Sequence, residues 1–520
     1  MLIKTIKGDF GVTMIKLVKN SKNKLLSIVY CLGLIIPFIL FFGGFSIFTQ
    51  NNDVLSFFIA FCGLVVLIKI LVAYCKGKRI IFEIRSEKSV CVVLYFLAFL
   101  PRIIYLTIVK GKIQQVSDFA LVVQHAQTAD FTDRLQYYRN FGHKMLYSLL
   151  LHMLHLRSQT SILIFQCVLV SFAAVILFKI GKQLGKSYAG IIAAVIFSLW
   201  PSLFVYTSVV SEEHMALVLL VAIIYLLTRI NGYIENEGNV KYYRELISVI
   251  GTGIMLGLVS FFKDWGAIVL VAILICSIYL AMTYRKLKRN LVLLVSIIII
   301  FGTRFITQNV VSYIEEVQLG GLSVNNGIVA MQMYETLDPN GSGGYDSDKC
   351  REYFSLVEEA DYNFREAQSK ALHILSEKIL TNVNKMPGLI YKKGIEAYSS
   401  NRDMMTWAFV ILDDDSKVNY VPIFKKMVRF DMIVFNSVVL LLLLGACIVM
   451  YLPHDIYFIL LIILGGGIAG LLVEPQGRYK YSIEAIWCIP VAFAACWLFN
   501  RFCEKRNGVS SRKKTGHKNR

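Results

Sequence analysis

The sequence predicts an all-α polytopic membrane protein. Two compositional observations carry this: 56% of its 520 residues are hydrophobic and only 17% are charged, against roughly 25% charged in soluble domains. The third is pattern. Apolar stretches recur at about 20 residues, the length a helix needs to cross the hydrocarbon core.

Twelve such stretches are expected, at 25–48, 54–75, 89–109, 159–178, 188–206, 208–228, 246–262, 265–284, 291–308, 432–451, 456–473 and 482–500. The first is too long for the apolar region of a secretory signal and lacks a small-residue cleavage site. Lys and Arg collect in short segments between spans, as in "KLVKNSKNK", "CKGKRIIFEIRSEK", "YRKLKRN" and the tail "RKKTGHKNR". By contrast, "TQNND" and "TSVVSEEH" contain neither residue. This asymmetry places both termini in the cytoplasm and the long loop 309–430 outside.

The division expected is a basic cytoplasmic tail (1–24), two accessory spans with a basic inner loop (25–88), and a membrane core (89–308) whose outer loop is 110–158. The loop 309–430, closing spans (431–500) and a second basic cytoplasmic tail (501–520) follow. The net charge of +19 fits cytoplasmic loops and anionic lipid headgroups, and no nucleic-acid partner is expected. Most of the 11 cysteines lie inside apolar runs, with Cys350 alone in a long polar loop. No disulfide framework is indicated.

Charged groups that interrupt the pattern converge on the outer face. Asp118 follows the third span, Glu212 and Glu213 sit in "SEEH", Lys263 and Asp264 in "FFKDWG", and Glu474, Arg478, Tyr479 and Lys480 in "VEPQGRYKYS". Polar groups near membrane depth are costly and mark sites. A reaction with a lipid-linked sugar donor would use such groups. A glycosyl phosphate carries its own leaving group and needs cations to stabilise it: the planar fork of Arg478, with Lys263 or Lys480 as point charges. The acceptor hydroxyl needs one base, and Asp118 stands in position to serve.

These segments resemble, in order, the GT-C membrane glycosyltransferases, in the branch of protein O-mannosyltransferases and bacterial aminoarabinose transferases. "PRIIYL" with "VSDFALVVQHA" resembles the first core span, with Arg102, leading into the loop of the catalytic aspartate. "YYRNFGHKMLYSLLLHML" is similar to the amphipathic segment after it, and "SLWPSLFVYTSVVSEEHMALVLLVAII" to a span pair whose outer turn carries a glutamate. "LGLVSFFKDWG" resembles a basic turn, "SEKILTNVNKMPGLIYKKGIEAY" the outer-loop helix returning to the membrane, and "EPQGRYKYSIEAIWCIP" the late Arg-Tyr segment. The likeness runs over about 89–500.

The resemblance implies a GT-C-like fold with a mainly helical extracytoplasmic loop covering the cavity where donor and acceptor meet. It implies inverting transfer of a hexosyl or pentosyl group from a polyprenyl-phosphate carrier to a cell-envelope glycan, lipid or protein. Asp118 would be the base, with Glu213, Arg102, Lys263, Arg478, Tyr479 and Lys480 binding substrate. Three departures stand out. Two spans precede the usual core, Asp264 replaces a usual proline, and Asp118 is alone where metal-dependent relatives carry Asp-x-Asp. No cofactor is expected to be required, and a divalent metal is not indicated.

Each residue also has a bland reading. Asp118 can cap the helix that follows it. Glu213 can face a helix dipole, Arg478 and Lys69 can snorkel, and Asp264 can neutralise Lys263. Arg102 can pair with a neighbouring helix. His152 and His155 are three apart with no third metal ligand, and with His143 they read as structural. "GSGGYDSD" lacks the context of a phosphate loop and reads as a flexible turn. Two rival functions stand beside the transferase: a surface polysaccharide polymerase or ligase relying on loop arginines and histidines, and a lipid-linked sugar flippase or transporter. The second would favour mid-membrane charges and repeated halves, and no internal repeat is evident.

Overall fold

A computed structural model describes residues 86–128, 142–235, 242–263, 265–283, 287–318, 328–361, 363–398, 402–448 and 455–515. The expected spans at 25–48 and 54–75, with Lys69 and Asp264, lie outside these.

The described chain is helical: α1 (Glu87–Val109), α2 (Ser117–Thr128), α3 (Gly142–Met153), α4 (Gln159–Gln183), α5 (Ser187–Leu199), α6 (Pro201–Val205), α7 (Glu213–Glu235), α8 (Tyr242–Phe262), α9 (Trp265–Thr283), α10 (Leu287–Gln318), α11 (Ile328–Thr336), α12 (Ser347–Glu359), α13 (Phe364–Thr381), α14 (Met386–Tyr398), α15 (Arg402–Val410), α16 (Asp414–Cys447), α17 (Asp455–Leu472) and α18 (Tyr481–Thr515). No strand occurs among the described residues beyond one isolated bridge, Ile113 to Leu412. Nine helices there are long and apolar enough to cross a membrane, or ten if α5 and the bent segment after it form one span. The protein is an all-α polytopic membrane protein.

Several boundaries differ from expectation, those of α7 and α18 among them. The span expected at 188–206 breaks at Trp200 and bends by 64°. Pro201 occupies the first position of α6 and Trp200 is extended, because the residue before proline is driven from the helical region. Helices α10 and α16 are longer than their apolar windows, since helical hydrogen bonding continues into polar sequence whereas hydropathy registers only the part in hydrocarbon. Asp413 caps α16 by accepting from the Ser416 N–H.

The span Gly477–Arg501 is 78% buried, and α10 only 17%. The first is therefore the bundle's axis and the second its flank. At one end Glu87 meets Lys182 at 2.5 Å, and Asn231 donates to Asp455 at 2.6 Å. These contacts put the starts of α1 and α17 beside the ends of α4 and α7. Helices α4 and α5 meet backbone to backbone: a Cβ on Gly181 would lie 2.3 Å from the Gly190 Cα. Small residues permit such approach where helices pack in lipid.

At the opposite end, α11 to α14 form a cap. Its small core holds Tyr334, Leu337, Tyr353, Phe354, Ala367 and Leu375, among others. Two side-chain caps shape it: Asp346 accepts from two backbone N–H groups to start α12, and Asn363 starts α13. The cap is joined to the bundle through Tyr398, whose hydroxyl donates to the Gly466 and Gly467 carbonyls of α17 at 3.0 Å.

Candidate active site

Between bundle and cap lies a cavity of about 610 Å³. Asp118, Glu213, Lys263, Arg478 and Tyr479, five of the seven candidates, line it. Charges 360 positions apart in sequence thus face one space.

Asp118 sits in the first turn of α2. The preceding residue, Ser117, has φ +52°, an uncommon and strained conformation for a residue with a side chain. The Ser117 hydroxyl donates to Asp118 Oδ1 at 3.2 Å. Two anchors set the approach to this turn. The Gln114 N–H donates to the Ile411 carbonyl at 2.6 Å, and Gln115 spans the 208–210 segment, donating to Ser208 O and accepting from Val210 N–H.

Glu213 begins α7 after a buried, irregular turn. That turn cannot satisfy its own backbone groups, so Gln166 does so. Its amide donates to the Thr207 and Val209 carbonyls, and its oxygen accepts from Ser211 N–H and Tyr147 OH. The Glu213 carboxylate accepts from Tyr206 OH at 2.8 Å and meets Lys263 Nζ at 3.3 Å. Lys263 in turn lies 3.9 Å from the Tyr479 ring centroid. A cation held between a carboxylate and an aromatic face keeps its position at low mobility.

Arg478 lies in the turn Gly477–Lys480, whose N–H at 478 donates to Asp403 Oδ2 at 3.0 Å. Its guanidinium stands 5.1, 5.0 and 5.3 Å from the rings of Phe119, Trp407 and Tyr479. Phe119 and Trp407 themselves meet edge to face at 5.3 Å. The Arg478 Nε is buried and lacks a hydrogen-bond partner in the protein. Tyr479 donates to Glu474 Oε2 at 3.0 Å.

The other two candidates do not line the cavity. Arg102 is fully buried, donating to the Ala98 and Leu203 carbonyls and stacking on Phe197 at 4.9 Å. It braces α1 against α6, a five-residue helix whose carbonyls cannot all be met from within. Lys480 donates to the Ala397 carbonyl at 2.9 Å, with Glu484 Oε1 at 4.0 Å. It ties α18 to the end of α14.

The cavity also holds Glu212, Glu335, Tyr345 and Glu474, none among the candidates. Glu474 shares the turn already singled out. Glu335 and Tyr345 come from the cap, where nothing in the local sequence separates them from an ordinary polar surface. Burial pushes the Glu335 carboxyl up to about 7. The Asp346 N–H, donating to it at 2.8 Å, and Lys393 oppose the rise, while the charges of Glu474 and Asp346 add to it. Burial likewise lowers Lys393 to about 8, against the pull of Glu396, Glu474 and Glu335.

His152 Nδ1 lies 2.9 Å from the Ala126 carbonyl, a packing contact between α3 and α2. No group of three or more His, Cys, Asp or Glu arranged to hold a metal ion occurs among the described residues.

The cavity thus joins a carboxylate in a strained turn, two cations on aromatic faces and a cover of helices, at the end of an apolar bundle. Residues 143–305 match the family model of dolichyl-phosphate-mannose-protein mannosyltransferases. The match supports a GT-C membrane glycosyltransferase that uses a lipid-linked donor, in agreement with the resemblance read from the sequence. The mannosyltransferase match covers α4 to α9 whole and so includes Glu212, Glu213 and Lys263. Asp118, Arg478 and the cap fall outside it. No curated protein matches the chain.

Proposed function

We propose that this protein transfers a sugar from a polyprenyl-phosphate carrier to an acceptor on the extracytoplasmic face of the cell membrane, with inversion at the anomeric carbon. One observation supports this above the rest: Asp118, Glu213, Lys263 and Arg478 open onto a single cavity between the bundle and its helical cap.

Asp118 is the general base. Its carboxylate takes the acceptor's hydroxyl proton as the oxygen attacks the anomeric carbon, and the carrier phosphate leaves with the bonding electrons. Arg478 receives that phosphate. Its aromatic surround removes water and leaves the guanidinium edge for a planar, two-point contact. Lys263, shared with Glu213, adds positive charge as the leaving group departs. Glu213 fixes Lys263 and keeps it from pairing with Asp118. Both termini lie in the cytoplasm, and the lipid tail rests along the bundle.

The test is transfer by purified protein from a panel of radiolabelled polyprenyl-linked sugars, read as label moved into envelope acceptors. Transfer that depends on Asp118 supports the reading. Full transfer by Asp118→Asn would favour the polymerase or ligase alternative, and translocation of lipid-linked sugar without transfer would favour the flippase.

A further inference from the structure

The cap contributes more than cover. The "GSGG" segment that precedes Tyr345 is a pinned turn. Gly343 has φ +85°, and a Cβ there would lie 2.9 Å from Lys393 Cγ and 3.0 Å from Leu389 Cδ1. Only glycine meets both demands without strain. Beneath it Lys393, fully buried, donates to Thr336 Oγ1 at 2.7 Å. On the other side of Tyr345, the Asp346 side chain caps α12 while its N–H donates to Glu335. Tyr345 is therefore fixed on both flanks, yet its side chain is 65% exposed and lines the cavity.

A fixed tyrosine offers a rigid apolar face at little entropic cost. Its hydroxyl is raised chiefly by burial and further by the charges of Cys350, Glu335, Glu474 and Asp118. The ring thus shares one cavity with Glu335 of the cap and Asp118 of the membrane face. We propose that Tyr345 and Glu335 form the acceptor subsite and that the acceptor is a saccharide, the ring covering the C–H face of a pyranose and the carboxylate accepting from its hydroxyls.

This rests on the transferase reading and names its acceptor class. A saccharide presents both an apolar face and adjacent hydroxyls, matching a ring beside a carboxylate, and bonds to an ionised acceptor are the stronger kind. An extended peptide gains affinity by pairing its backbone with an open strand edge. The cap is built of helices and their caps and offers no strand among its described residues.

Saturation-transfer NMR on the detergent-purified full chain, without donor lipid, tests the subsite apart from turnover. The probes are methyl glycosides of glucose, galactose, mannose, rhamnose and N-acetylglucosamine, and a threonine-containing peptide. At least one glycoside should receive saturation at its C–H face. Tyr345→Ala should weaken binding roughly tenfold, and Tyr345→Phe should retain most of it. Glu335→Gln keeps the ring and should remove any pH dependence of binding between about 6 and 8. Asp118→Asn should lose transfer yet still bind glycoside in a Tyr345-dependent way, so loss of transfer and loss of the subsite are separable. Peptide binding that depends on Tyr345, glycoside binding indifferent to both cap residues, or no glycoside binding would overturn the proposal.

Discussion

Lys263 Nζ lies 3.3 Å from Glu213 Oε1, and the lysine side chain is 21% exposed against 3% for the glutamate. The pair bridges the ends of two spans at the cavity floor. Its partners are unequal: both line the cavity, but the glutamate is the more deeply buried of the two.

Removing only the cation should therefore cost more than removing the pair. Lys263→Met leaves a buried carboxylate with Tyr206 as its remaining close donor, and should destabilise the protein by about 1–3 kcal/mol. Lys263→Met with Glu213→Gln should recover much of that loss. Thermal unfolding of the detergent-solubilised protein measures both, and the four-variant cycle gives the coupling. An additive double variant would mean that the contact carries no net stability.

Base and phosphate grip should separate. Asp118→Asn preserves size but cannot take a proton, so transfer should fall by about 10²–10⁴-fold while binding of the donor lipid persists. Arg478→Ala should weaken donor binding as well as transfer. Arg478→Lys should restore only part, because a point charge cannot copy a planar fork. Equilibrium binding beside single-turnover transfer distinguishes the two effects.

Membrane orientation has a direct readout. Tyr345 is 65% exposed in the cap, and Lys288 lies at the other end, near the start of α10. In whole cells an impermeant maleimide should label Tyr345→Cys above the parent background. Lys288→Cys should react only after permeabilisation. The reverse pattern would invert the topology and put the cavity in the cytoplasm.

Glu335 should write a pH signature. Its carboxyl moves from 4.5 to about 7 on folding, so the folded state holds a proton that the unfolded chain has released. Its contribution to stability is fully present below about pH 4.5 and is lost as pH rises through about 7. Burial sets this window, and the charged neighbours Glu474, Asp346 and Lys393 adjust it. The thermal midpoint of the parent should fall relative to Glu335→Gln between pH 5 and 8. Parallel curves would show that the carboxyl does not titrate there.

Hydropathy finds the spans among the described residues because each is a local property, a run of side chains long enough for hydrocarbon, while the spans expected at 25–48 and 54–75 lie outside those residues. It foresaw the charged turns near Asp118, Glu213, Lys263 and Arg478 because charge beside an apolar run is costly and therefore conspicuous. The break at Trp200 was missed even though Pro201 is visible: a proline can begin a helix, kink one or end one, and the neighbouring helices select among these. In sequence Arg102 lies within an expected span and Arg478 just ahead of one. Packing sent one to carbonyls at a helix break and the other to a ring-lined cavity.

Composition and spacing by themselves determined that this chain is a series of membrane helices with its charges in the turns between them, since both follow from the free energy of placing each side chain in lipid or water. Which charges face one another was decided by the tertiary structure. A contact such as Lys263 with Glu213 depends on the rotation and crossing of whole helices, and Glu335 and Tyr345 reach the cavity because the helices of the cap close over the end of the bundle. No residue's own hydropathy encodes such relations.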